Sequence, residues 1–121
     1  MTPLVIYRLV HFLGVFTMVT ALAASLARAA AAGPAPADDP WKKRFAIAHG
    51  VALFLILLGG FGMLGRLGLG FPAWAVVKVG IWALAGGLIA LRKSPARAAW
   101  GLVLVPLLAA LAGWLGYAKP F

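Results

Sequence analysis

Four apolar runs of about 20 residues each leave this chain few ways to fold, because a run of that length matches the hydrocarbon thickness of a bilayer. Inside a membrane the backbone must satisfy its own polar groups, and a single chain of four such runs does so as helices. The runs fall at about residues 4–26, 45–64, 73–91 and 98–117. The expected fold is therefore an all-α integral membrane four-helix bundle, with residues 1–121 forming one four-span transmembrane domain. The connections are too short to hold a separate soluble domain.

The residue inventory narrows the chemistry. Only 11% of residues are charged, where an ordinary soluble domain has roughly a quarter. There is no cysteine, which removes disulfides, thiolate nucleophiles and iron–sulfur clusters. The only acids are Asp38 and Asp39, adjacent between the first two runs, so carboxylate-pair catalysis, oxygen-ligand metal cages and acidic proton relays lack material. The net charge of +9 sits at the ends of apolar spans, where anionic lipids at the basic loops are natural partners and nucleic acid is not.

Local signals place the helix ends. Asp39-Pro40 and Ser94-Pro95 pair a capping residue with a proline at the first helical position, and Pro72 opens the third span. The stretch from Ala29 to Asp39, with Gly33, Pro34 and Pro36, reads as an exposed connection. The glycines from Gly59 to Gly70 mark either a turn or very close packing; a phosphate loop would need a Gly-Lys-Ser/Thr ending, which they lack. In span one, Thr17, Ala21 and Ser25 repeat at i+4, as do Thr20 and Ala24, which lets another helix approach closely. Pro106 should kink span four unless neighbouring groups satisfy the freed carbonyl. A cleavable signal peptide would resemble span one, but no basic cluster precedes it.

Cations at the span ends set the orientation. Arg28, Lys42, Lys43, Arg44, Arg92, Lys93 and Arg97 lie on one side, against Arg8, Arg66 and Lys119 on the other. This bias predicts both termini on the non-cytoplasmic side, with two basic cytoplasmic loops.

Against that frame, the chemistry-bearing residues can be ranked by depth. Arg8 and His11 share one face of span one, with Gly14 three residues further along it. His11 lies roughly 10 Å in from the outer end, and Lys78, with Trp74 and Trp82 at i−4 and i+4, roughly 9 Å in from the outer end of span three. His49 lies roughly 12 Å below His11, a poor match for two imidazoles on one metal. Arg8, His11 and Lys78 thus define an outer-leaflet basic pocket with no intramembrane acid to neutralise it. A tetrapyrrole with carboxylate side groups, or a quinone carbonyl, suits such a pocket, with His11 as metal ligand and Gly14 leaving room for a flat ring. The plainer reading has Arg8 and Lys78 snorkelling to the interface and His11 making one interhelical hydrogen bond.

Several stretches are similar to a group of small four-helix bacterial inner-membrane proteins: Arg8-Leu9-Val10-His11, His49-Gly50, Gly60-Phe61-Gly62-Met63-Leu64, Arg66-Leu67-Gly68, Trp74 to Gly80, and Tyr117 to Phe121. More remotely, the cation three residues before His11 and the lysine after a tryptophan in span three resemble the SirB and copper-resistance-D-like superfamily, which includes the HemJ-type protoporphyrinogen oxidase that binds haem b. The resemblance implies a multi-pass inner-membrane protein with His11 and Lys78 as its polar positions and haem b as a cofactor. Two functions are expected on these grounds. One is binding of haem b, or another tetrapyrrole or quinone, for electron transfer, with cofactor-binding residues His11, Arg8, Lys78, Gly14 and, if it joins them, His49. The other is a non-catalytic accessory or assembly subunit of a larger membrane complex or a homo-oligomer.

Overall fold

The computed structural model describes residues 2–118. It contains α1 (Pro3–Ala32), α2 (Pro40–Leu67), α3 (Ala73–Gly87), a 3₁₀ segment (Leu88–Lys93) and α4 (Pro95–Ala118), with no strand among the described residues. Four helical segments, the third being α3 with its 3₁₀ continuation, are each long and apolar enough to cross a membrane, the signature of a multi-pass membrane protein. Lys119, and with it part of the Tyr117-to-Phe121 segment, lies outside the described residues.

The helices outrun the expected spans, chiefly at the basic end. α1 continues from Leu26 through the run Ala29–Ala32, whose alanines have the highest helix propensity, and stops at Gly33 with φ at 80°. Its start was not anticipated: Thr2 accepts a hydrogen bond from the Val5 amide at 3.3 Å, with Pro3 as the first helical residue. The Asp39-Pro40 start behaves as expected, the Asp39 Oδ1 accepting from the amides of Trp41 at 2.8 Å and Lys42 at 3.4 Å. Ser94 is extended, and its carbonyl accepts from Ala98 at 2.8 Å to open α4.

Both readings of the glycine stretch hold, at different positions. Gly59 and Gly62 lie within α2 and face α1, whereas Gly68, at φ 66°, ends the helix. Its amide reaches Gly65 O while the Leu69 amide reaches Leu64 O, the paired closure that a left-handed residue permits. α4 runs without a break through Pro106, whose side chain is exposed.

Consecutive helices pack antiparallel. α1 lies along α2, with Gly14 against Ala52 and Ile56 and His11 against Gly59. α4 covers the second half of α1, where Leu26 fits over Gly101, and α3 completes the bundle against α4. The Thr2 and Ala118 ends therefore lie at the same end of the bundle. One core cluster, around Leu22, Leu26, Ala52, Ala98 and Val105, fills the basic-loop half; another, around Trp74, Ile81 and Leu115, fills the opposite half. Large apolar side chains point outward, Phe16 at 68% exposure and Trp100 at 71%, which suits lipid and not water. The face carrying Ala21 and Ser25 does admit another helix closely, and both residues are buried inside the chain itself.

Candidate functional site

Backbone proximity builds the His11 environment. A Cβ on Gly59 would sit 2.5 Å from the His11 nitrogen and 2.6 Å from the Tyr7 carbonyl oxygen, so only glycine lets α1 and α2 come this close. The His11 imidazole then lies over Gly60, and its Nδ1 is 2.9 Å from the Ile56 carbonyl oxygen. A carbonyl can only accept, so Nδ1 carries the proton and donates it. The neutral ring is held as the tautomer whose Nε2 has a free lone pair. Sequence placed His11 at this end; its orienting partner on α2 was not foreseen, since a backbone carbonyl leaves no trace in residue type.

Lys78 stands on α3 near enough for its charge to be felt at the His11 ring. Its Nζ lies beside Gly116 of α4, where an added Cβ would be 2.8 Å from the ammonium. The ammonium is thus held where α3 meets α4, at the level of His11, and it is only partly exposed. Arg8 is exposed on α1, with no hydrogen-bonded or ionic partner among the described residues. His11 and Lys78 thus stand within electrostatic reach of each other, while Arg8 lies exposed on the surface of α1.

Gly14 has a different surrounding. A Cβ there would meet Ile56 N at 2.8 Å and Ala52 O at 2.9 Å, so α2 occupies the clearance that Gly14 provides. His49 is apart from this group. It is 3% exposed, and its Nε2 donates to Gly86 O at 3.2 Å, tying α2 to α3 where α3 tightens into the 3₁₀ segment and its last carbonyls lose their regular donors. The His11 partner, Ile56, lies seven residues further along α2, about 10 Å away. The two imidazoles therefore serve different levels of the bundle.

Trp82 donates its indole N–H to Leu53 O at 2.9 Å and so joins α3 to α2. Among the described residues no three His, Cys, Asp or Glu side chains gather around one point. A metal at His11 would thus find a single imidazole from this chain, and would have to arrive with most of its own ligands, as a tetrapyrrole-bound iron does. Compared with family models, curated proteins and solved structures, the chain matches none.

Proposed function

We propose that this chain is a bacterial inner-membrane protein that binds haem b, or a closely related tetrapyrrole, at the outer end of its bundle and exchanges electrons with quinone. The observation that carries the reading is the His11 Nδ1–H to Ile56 O hydrogen bond, which orients the ring and leaves Nε2 as the ligand atom. Lys78 and Arg8 supply cations on the same side for the carboxylate side groups of such a ligand, in a chain with no intramembrane acid to compete for them. Gly60 lets the imidazole lie directly against α2, where the Ile56 carbonyl holds it. The bound group would supply one-electron redox chemistry; the protein's part is to orient its ligand, to place positive charge beside it and to exclude water with apolar helices.

The accessory-subunit reading would use small-residue faces for a partner. Ala21 and Ser25 are buried within the bundle, whereas Thr20 of the second repeat stays exposed, its hydroxyl bonded to Phe16 O at 2.7 Å.

Expression with ample haem, followed by an optical spectrum of the purified protein, tests this directly. A Soret band is expected, and His11→Ala should abolish or strongly shift it while His49→Ala leaves it in place. Absence of the band in the unaltered protein, or a band indifferent to His11→Ala, overturns the proposal.

A further inference from the structure

The opposite end of the bundle holds a second site that the His11 proposal does not use. A cavity of about 620 Å³ opens beneath the connection between α1 and α2. Its wall carries Arg28, Lys42, Arg92 and Lys93 against a single carboxylate, Asp39. The cations arrive from three elements. Arg92, in the 3₁₀ segment, donates Nη1 to the Lys42 carbonyl at 3.1 Å, which fixes the loop before α4 against the start of α2. Lys42 Nζ donates to Ala35 O at 3.3 Å, and Arg28 donates Nη2 to Asp39 Oδ2 at 2.6 Å. Each of these groups has several N–H donors, of which these bonds use one. The Lys93 side chain makes no hydrogen bond or ion pair with another described residue.

Ser25, at the cavity wall, adds an independent sign. It is 4% exposed, and its Oγ is buried without a hydrogen-bond partner. A buried hydroxyl is normally satisfied, so this one is short of an acceptor, which a rotation of the side chain toward the cavity would let a bound group supply. Four cations converge where one acid answers them, and the only other acid in the chain, Asp38, is exposed outside the cavity. This lining suits an anion with several acceptor oxygens, sized for two guanidinium forks and placed where spans meet headgroups.

We propose that this cavity binds a phosphate group, carried by an anionic phospholipid headgroup or by soluble phosphate, through Arg28, Arg92, Lys42, Lys93 and the Ser25 hydroxyl. The site stands independently of the His11 proposal.

The test uses the full chain, delipidated in a phosphate-free detergent, in native mass spectrometry against phosphatidylglycerol, phosphatidylcholine and inorganic phosphate. One phosphatidylglycerol per chain is expected, retained at least 10-fold over phosphatidylcholine. Lys93→Gln combined with Arg92→Gln should lower retention about 10-fold. Ser25→Ala, which removes no intramolecular bond, should lower it about 3-fold. Lys43→Gln, a cation of the same end outside the cavity, should not change it. Retention of inorganic phosphate at the same site, with loss in the same variants, supports the site and assigns it to soluble phosphate. Because Arg92 also braces Lys42, Lys93→Gln alone serves as the variant that keeps every internal bond. The proposal is overturned if neither phosphate source is retained, or if Ser25→Ala and Lys93→Gln retain it as the unaltered chain does, or if Lys43→Gln loses it equally.

Discussion

Gly59 and Gly65 are six residues apart on α2, yet a methyl group at each meets opposite conditions. At Gly59 it would meet the Tyr7 and His11 backbone, which cannot swing aside as a side chain can; at Gly65 nothing lies within 4 Å. Gly59→Ala should therefore push α1 from α2 and lower stability by about 1–3 kcal/mol, and in the haem-supplied protein it should disturb the His11 spectrum as well. Gly65→Ala should be neutral or stabilising by up to about 1 kcal/mol, since it only removes the helix penalty of glycine. Thermal unfolding of both variants in one detergent distinguishes them. Trp82→Phe keeps the ring and loses the bond to Leu53 O. The expected loss is about 0.6 kcal/mol, typical of an interhelical hydrogen bond in a membrane, and a cycle with Leu84→Ala as a lipid-facing reference on the same helix should be additive.

The helix ends were largely legible in the sequence, because capping is written in adjacent residues: Asp39-Pro40 and Ser94-Pro95 each start a helix where expected. Thr2-Pro3 follows the same grammar and starts α1, directly in front of the apolar run. The end of α1 was less legible, since alanine is equally at home in a span and in a solvent-exposed turn of helix, and only Gly33 settles the boundary. At the start of α2, the hydrogen bond from Arg28, then those from the Trp41 and Lys42 amides, hold the Asp39 carboxyl below its ordinary value of 3.8. Its ionised form is thus favoured in the folded state, and its contribution to stability is present above pH 3.8 and fades as acidification protonates it. Melting temperature should fall on acidification below about pH 4 by more than it does in Asp39→Asn, which keeps a capping oxygen but has no charge to lose. Added salt should shrink the difference, because the Arg28–Asp39 pair is partly exposed.

At the scale of the whole molecule, the cation bias predicts which face of the membrane each loop occupies. The chain has no cysteine, so single-cysteine reporters have no background. Ala37→Cys, between α1 and α2, should react with a membrane-impermeant maleimide only after the cells are opened, and Leu69→Cys, between α2 and α3, in intact cells. The reverse pattern would turn the protein over. Apolar length carried the architecture because it is additive along the chain. The site was legible as far as depth goes: His11 and Lys78 share a level because residue counting measures height. What height cannot give is rotation about the helix axis. That is why Gly14 turned out to face α2, why Arg8 stayed at the surface, and why Ser25, noticed as a small residue, was not noticed as a hydroxyl without an acceptor.

The change of pitch after Gly87 has a further consequence. As a 15-residue α-helix, α3 alone would reach about 22 Å, short of a hydrocarbon core about 30 Å thick. The six 3₁₀ residues rise more steeply and carry the crossing to about 34 Å, roughly 3 Å more than the same 21 residues would cover as an α-helix. The third crossing thus matches its bilayer by winding as well as by residue number.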